Sequence, residues 1–236
     1  MSIEVRREGR VLHVALNRPE KRNALNGALC EALVQTIEEG NADTSVGAIL
    51  LSGNGPVFCA GMDLSETEDF APLHEKLFTS IERAGKPLIA AVQGAALAGG
   101  MGLAANAHIV IAHPAARFGL TEIRIGLWPV LVFRAVVLAI GERRATELSI
   151  TGRLFEAGEA KEYGLVTELS EDPLKSALET AAAVSGFSAN AMAAGLRYSR
   201  AIRNMDWKEA GRAGQSTRAA LMNHPDFKTA TAKFRK

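Results

Sequence analysis

The sequence predicts an α/β fold with mostly parallel strands, and three observations carry that prediction. Short continuous apolar runs at 46–51, Leu88–Val92 and Ile109–Ala112 read as strands covered on both faces. Small-residue turns and segments of helical spacing lie between them, so strand, turn and helix alternate. From Pro173 onward the spacing is helical throughout. A chain of 236 residues with 47% hydrophobic content can bury one large core, with a smaller helical appendage. The expected division is 1–172 for the core and 173–236 for a helical module.

The elements follow in order. Residues 3–7 and Val11–Leu16 flank a Glu8-Gly9-Arg10 turn and read as a hairpin. A polar loop, N-R-P-E-K-R-N-A-L-N, carries Arg18, Lys21 and Arg22 and ends at Asn26, placed to cap the next helix. Leu29, Leu33 and Ile37 give that helix one apolar face before Gly40 and Asn41 end it. After the strand at 46–51 comes F-C-A-G-M-D-L, a small-residue turn in which Asp63 is expected to cap a following helix. A polar, acidic stretch at 65–69 leads to a helix over 72–83, ended by Gly85, Lys86 and Pro87. Leu88–Val92 is followed by the turn Q-G-A-A-L-A-G-G-M-G-L, a helix reaching 107 and the strand Ile109–Ala112. Residues 134–150 read as two short helices broken at Gly141, and E-A-G-E-A-K-E-Y-G-L-V as a helix closed by Gly164 with a short strand after it.

Charge and cysteine content exclude several classes. With 27 basic and 26 acidic residues the net charge is +1, and no basic block tracks a phosphate backbone, so nucleic acid is not an expected partner. No run approaches the ~20 apolar residues of a membrane span, and the N-terminus lacks a signal-length apolar segment. Cys30 and Cys59 have no metal-ligand spacing, and the five histidines form no metal motif. A soluble, cytoplasmic protein without a metal is expected.

The chemistry concentrates between Gln93 and Gly126. Gly94, Gly99, Gly100 and Gly102 bring bare backbone to a turn and a helix start, where unpaired N–H groups and the helix dipole favour negative charge. Such an arrangement holds an oxyanion. Glu122, set before the apolar Ile123, Ile125 and Leu127, is a candidate base.

Five stretches, N-R-P-E-K-R-N-A-L-N, F-C-A-G-M-D-L, Q-G-A-A-L-A-G-G-M-G-L-A, F-G-L-T-E-I-R-I-G-L and A-G-E-A-K-E-Y-G-L-V, resemble in order and spacing the crotonase, or enoyl-CoA hydratase/isomerase, superfamily. The resemblance covers essentially the whole chain. It implies a crotonase-like spiral of repeated ββα units with a C-terminal α-helical domain, assembled as a trimer or a dimer of trimers. It also implies an acyl-CoA thioester as substrate, with coenzyme A entering only as part of that substrate and no separate cofactor. The oxyanion donors it implies are the amides of Met62 and Gly99, with Glu122 as the proton-transfer base. Lys21 and Arg22 fall in the loop that contacts coenzyme A phosphates in relatives, and Phe58, Cys59 and Ala60, which precede the first donor, are expected with Trp128 to contact the acyl-CoA. Cys59 reads as a space-filler beside the turn rather than a nucleophile.

Two departures from the family pattern bear on the reaction. Hydratases of the family carry a first glutamate three residues after the second donor, and Gly102 stands there instead. Moving a double bond from the 3,4 to the 2,3 position needs one base, whereas adding water needs a base and an acid, so proton shuttling by Glu122 is the favoured expectation. An enoyl-CoA hydratase with an atypical one-glutamate site, decarboxylation or hydrolysis on the same scaffold, and a non-catalytic acyl-CoA binding protein are the alternatives. The second departure is the run G-L-W-P-V-L-V-F, in which Trp128 and its neighbours are expected to wall a dry acyl pocket and raise the Glu122 pKa. His74 alone of the five histidines lies in the segment that borders the acyl pocket in relatives, where it could assist as an acid, but an exposed helix histidine is the expected reading.

Overall fold

The structure is a computed structural model that describes residues 1–66 and 70–234. Positions 67–69 of the expected acidic stretch and 235–236 of the expected helical module lie outside the described residues. By its contacts the chain divides into two units, Met1–Ser185 and Gly186–Lys236.

The first unit begins with β1 (Ile3–Glu8) and β2 (Val11–Leu16), an antiparallel hairpin turning at Gly9. Helix α1 (Gly27–Ala42) starts at Asn26, whose side chain accepts from Leu29 N at 3.0 Å. Next come β3 (Ala48–Gly53), α2 (Ala71–Arg83), β4 (Leu88–Val92), β5 (Ala95–Leu97) and α3 (Gly99–Asn106). Then follow β6 (Ile109–Ala112), β7 (Arg117–Gly119), a 3-10 turn at Glu122–Ile125, α4 (Phe133–Ile140) and α5 (Glu142–Thr151). The unit closes with β8 (Phe155–Glu156), α6 (Ala157–Glu162), β9 (Glu168–Leu169) and α7 (Pro173–Ser185).

Six strands form one sheet in the order β1-β2-β3-β4-β6-β9, parallel from β2 onward. Alternate residues of each central strand enter different cores. Leu12, Val14, Ile49, Leu51, Ala90 and Val92 face the larger cluster, while Val11, Ala48, Leu50, Ile89, Ala91 and Ile111 pack with Ala177 and Ala181 of α7. Burial on both faces is why these strands read as unbroken apolar runs.

The same packing moves the expected boundary. Helix α7 covers one face of the sheet and belongs to the first unit, so the division falls after Ser185 and not after Asp172.

A second layer, β5-β7-β8, was not legible as strands, because each has only two or three residues. Isolated bridges Cys59↔Ala96 and Leu25↔Met62 extend it toward the first loop. A strand of the large sheet, a turn, a strand of this layer and a helix thus recur, as in β4-β5-α3, which is the ββα unit of the spiral.

The second unit contains α8 (Ala189–Ala201), α9 (Trp207–Asn223) and α10 (Pro225–Thr231). Asp206 opens α9 with a reciprocal capping box to Glu209.

Candidate functional site

The two small-residue turns of the sequence meet because their glycines leave room for backbone. A Cβ on Gly100 would stand 2.2 Å from the Cys59 carbonyl oxygen, so only hydrogen permits the contact. Gly61 has φ +96°, and a Cβ there would stand 2.8 Å from Ala98 Cβ and 3.0 Å from Leu97 O. The strand ladder then ties the turns together. Cys59 N donates to Ala95 O at 3.1 Å, and Leu97 N to Cys59 O at 3.0 Å.

That junction orients two amides. Leu25 N donates to Gly61 O at 2.7 Å, and Leu25 O accepts from Asp63 N at 3.0 Å. In this parallel bridge the N–H of Met62 projects from the opposite side of its strand. Gly99 is the first residue of α3, where a helix leaves its N–H groups without internal partners. Neither N–H is among the protein-bonded backbone donors of the described residues. Ala98, between them, holds φ +49° and ψ −119°, a region that costs a non-glycine residue about 1–3 kcal/mol. Its N–H donates to Gly119 O and its carbonyl accepts from Gly102 N, so the surrounding bonds impose the conformation.

Met62, Gly99 and Glu122 line one cavity of about 400 Å³, together with Ala60, Ala98, Thr121 and Trp128. Leu25, Phe78, Leu127, Pro129 and Val130 to Val132 supply much of its apolar wall. Glu122 opens the 3-10 turn, and its buried Oε2 has no hydrogen-bond partner. Desolvation raises its pKa above the ordinary carboxyl value, against a smaller opposing bond from its own backbone. Among the described lining residues it is the sole carboxylate.

Several expected residues lie elsewhere. Phe58 and Cys59 are wholly buried in the core and do not line the cavity, and burial pushes the Cys59 thiol up to about 12. Lys21 and Arg22 are exposed and outside the cavity lining, though the Arg22 carbonyl accepts from Ala60 N at 3.0 Å. Trp128 does line the cavity, 37% exposed, its ring tilted 48° to that of Phe133 with centroids 5.9 Å apart. Asp63 caps no helix. It accepts from Ser65 and pairs with Arg18 Nη2 at 2.9 Å, and the Ser65 hydroxyl first, with Arg18 after it, holds its carboxyl down to about 2. Arg18 also donates to Ala24 O, so this cation of the loop fastens the first turn.

His74 is a residue that sequence reasoning misplaced. It is 5% exposed and lines the cavity. Its signal was the spacing with Leu77, Phe78 and Ile81, which puts it on the buried face of α2.

Among the described residues, no cluster of His, Cys, Asp and Glu could hold a metal ion, and no helix is long and apolar enough to cross a membrane.

The sequence matches the enoyl-CoA hydratase/isomerase family over residues 6–233. A Thermus thermophilus chain with a provisional enoyl-CoA hydratase name is 40% identical over 188 residues, 75% of this chain and 74% of that one. The 2,3-dehydroadipyl-CoA hydratase of Escherichia coli is 38% identical over 75% of this chain and 73% of its own. The crystal structure of an enoyl-CoA hydratase from Bacillus anthracis superposes with a TM-score of 0.94 at 27% identity, over 100% of this chain and 96% of that one. The protein thus belongs to the enoyl-CoA hydratase/isomerase, or crotonase, superfamily of acyl-CoA enzymes.

Proposed function

We propose that this enzyme shifts a double bond in an enoyl-CoA thioester from the 3,4 to the 2,3 position, with Glu122 as the single proton carrier. The observation that carries the reading is that Glu122 is the sole carboxylate among the described residues lining a largely apolar cavity. Glu122 takes a proton from C2, the thioester oxygen becomes an enolate oxygen held by the Met62 and Gly99 amides, and the same proton returns at C4. Each preorganised amide supplies roughly 3 kcal/mol to the developing oxyanion. Burial favours this role, because a carboxylate with a raised pKa is the stronger base for carbon acids near neutrality.

Proton transfer beside a thioester needs no redox group, so coenzyme A enters only as part of the substrate. Lys21 and Arg22 remain the proposed contacts for its phosphates, since both are exposed on the loop bonded to Ala60. Two buried, unpaired cysteines suit a reducing cytoplasm. A trimer or pair of trimers is the proposed assembly.

Hydration is the second reading. The names of the relatives favour it, and His74 lines the same cavity as the one other titratable group among the described lining residues. Incubation with 3-enoyl and 2-enoyl thioesters separates the two. Conversion of 3-enoyl to 2-enoyl as the faster reaction is expected; preferential addition of water to the 2-enoyl thioester would overturn the proposal. Binding without any turnover would indicate a non-catalytic acyl-CoA binding protein.

A further inference from the structure

We propose that Val132 decides the reaction: its side chain occupies the space that any side chain at position 102 would need, and it keeps a second water-activating group away from the enoyl carbons. The inference rests on the isomerase reading and names the residue that enforces it.

The geometry is local. A Cβ built on Gly102 would lie 2.3 Å from Val132 Cγ1, 2.6 Å from its Cβ and 3.2 Å from Phe78 Cε1. Contacts under 3.0 Å require something to move, and here the obstacle is a β-branched side chain with little rotamer freedom. Its backbone is fixed as well. Val132 N donates to Pro129 O at 3.1 Å, and its carbonyl accepts from Val136 N at 3.1 Å as α4 begins. Val132 is 3% exposed and lines the cavity that Glu122 faces.

The chemistry follows from what Val132 lacks. Hydration forms a bond from water oxygen to C3, passes one water proton to a base and delivers a proton to C2. A water held for that attack needs 2–4 polar partners. The three heavy atoms nearest a Cβ at position 102 are two Val132 carbons and a Phe78 ring carbon, none of which bonds water. The dienolate left when Glu122 removes the C2 proton is therefore discharged by breaking the Glu122 O–H bond and forming C4–H, which regenerates the carboxylate.

The test compares two rates in each variant, water addition to a 2-enoyl thioester and double-bond migration in a 3-enoyl thioester. V132T keeps the shape and adds a hydroxyl, and V132A opens space for water. Each is expected to raise the ratio of hydration to migration about tenfold or more. The pair G102E with V132G, which supplies a carboxylate and makes room for it, is expected to raise the ratio roughly a hundredfold. L138T places the same polar group on an exposed α4 position outside the cavity and should leave the ratio unchanged. An unchanged ratio in folded V132T and V132A would overturn the inference while leaving the isomerase reading intact. A wild-type enzyme that hydrates and does not migrate the double bond would overturn both.

Discussion

Glu122, the proposed base, owes its properties to its surroundings. Its carboxyl is partly taken out of water, one oxygen finds no partner, and the charged form is disfavoured. The acid limb of a kcat/KM profile should accordingly lie above the ordinary value of 4.5, with activity lost as pH falls through it. A limb at or below 4.5 would mean that the carboxylate is solvated during turnover. Linkage gives a second expectation. Because the folded pKa is raised, the unfolded chain ionises first, and stability is lost as pH rises through the window above 4.5. Glu122→Gln should melt higher than wild type at neutral pH, with the gap closing below 4.5, while migration falls by about 10²–10⁴. His13 behaves oppositely. It is buried with Nε2 2.8 Å from Ser52 Oγ and an unpartnered Nδ1, and desolvation lowers its pKa below 6.5. Stability present above 6.5 should drain as pH falls toward the folded value. His13→Gln should flatten that part of a melting-temperature curve, and an equal slope in both proteins would assign the loss to other groups.

At the scale of elements, the site depends on how closely two turns approach. Gly100→Ala sets a methyl against the Cys59 carbonyl, which must push α3 away from the Met62 strand. A loss of about 10²–10³ in kcat with KM little changed is expected, the signature of a disturbed oxyanion site. Loss of binding alone would place the glycine's role in packing around the substrate instead. Much of this was legible. The glycine turns, the Asn26 cap and the apolar runs each follow from local rules that tertiary structure does not override. What escaped the sequence depended on long-range contact. Strands β5, β7 and β8 are too short for periodicity, and Asp63 is satisfied by Arg18, which lies 45 residues earlier. Phe58 and Cys59 flank a donor in sequence, yet both side chains are buried in the larger core rather than in the cavity. The clash of a Gly102 side chain with Val132 could not be read from either residue alone.

For the whole molecule, the helical spacing after Pro173 hid a division of labour, since α7 completes the sheet's second core and only the helices from α8 onward form the separate unit. That unit carries Phe187, Trp207 and Phe234 exposed, Trp207 at 96%, and α8, α9 and α10 contain no buried residue in the single chain. Such apolar exposure fits an assembling protein. Light scattering should give about 75 kDa or its double for chains of 25.1 kDa, and Trp207→Asp should lower it. A wild-type mass of one chain would remove the assembly. The central claim, that one carboxylate in an apolar cavity carries a single proton from C2 to C4, is tested most directly by isotope transfer. A 3-enoyl thioester deuterated at C2 would be turned over in ordinary water and its product read by mass spectrometry. The account predicts a 2-enoyl product carrying deuterium at C4 with wild type, and no migration with Glu122→Gln; a product containing oxygen from water, or migration that persists without the carboxylate, would contradict it.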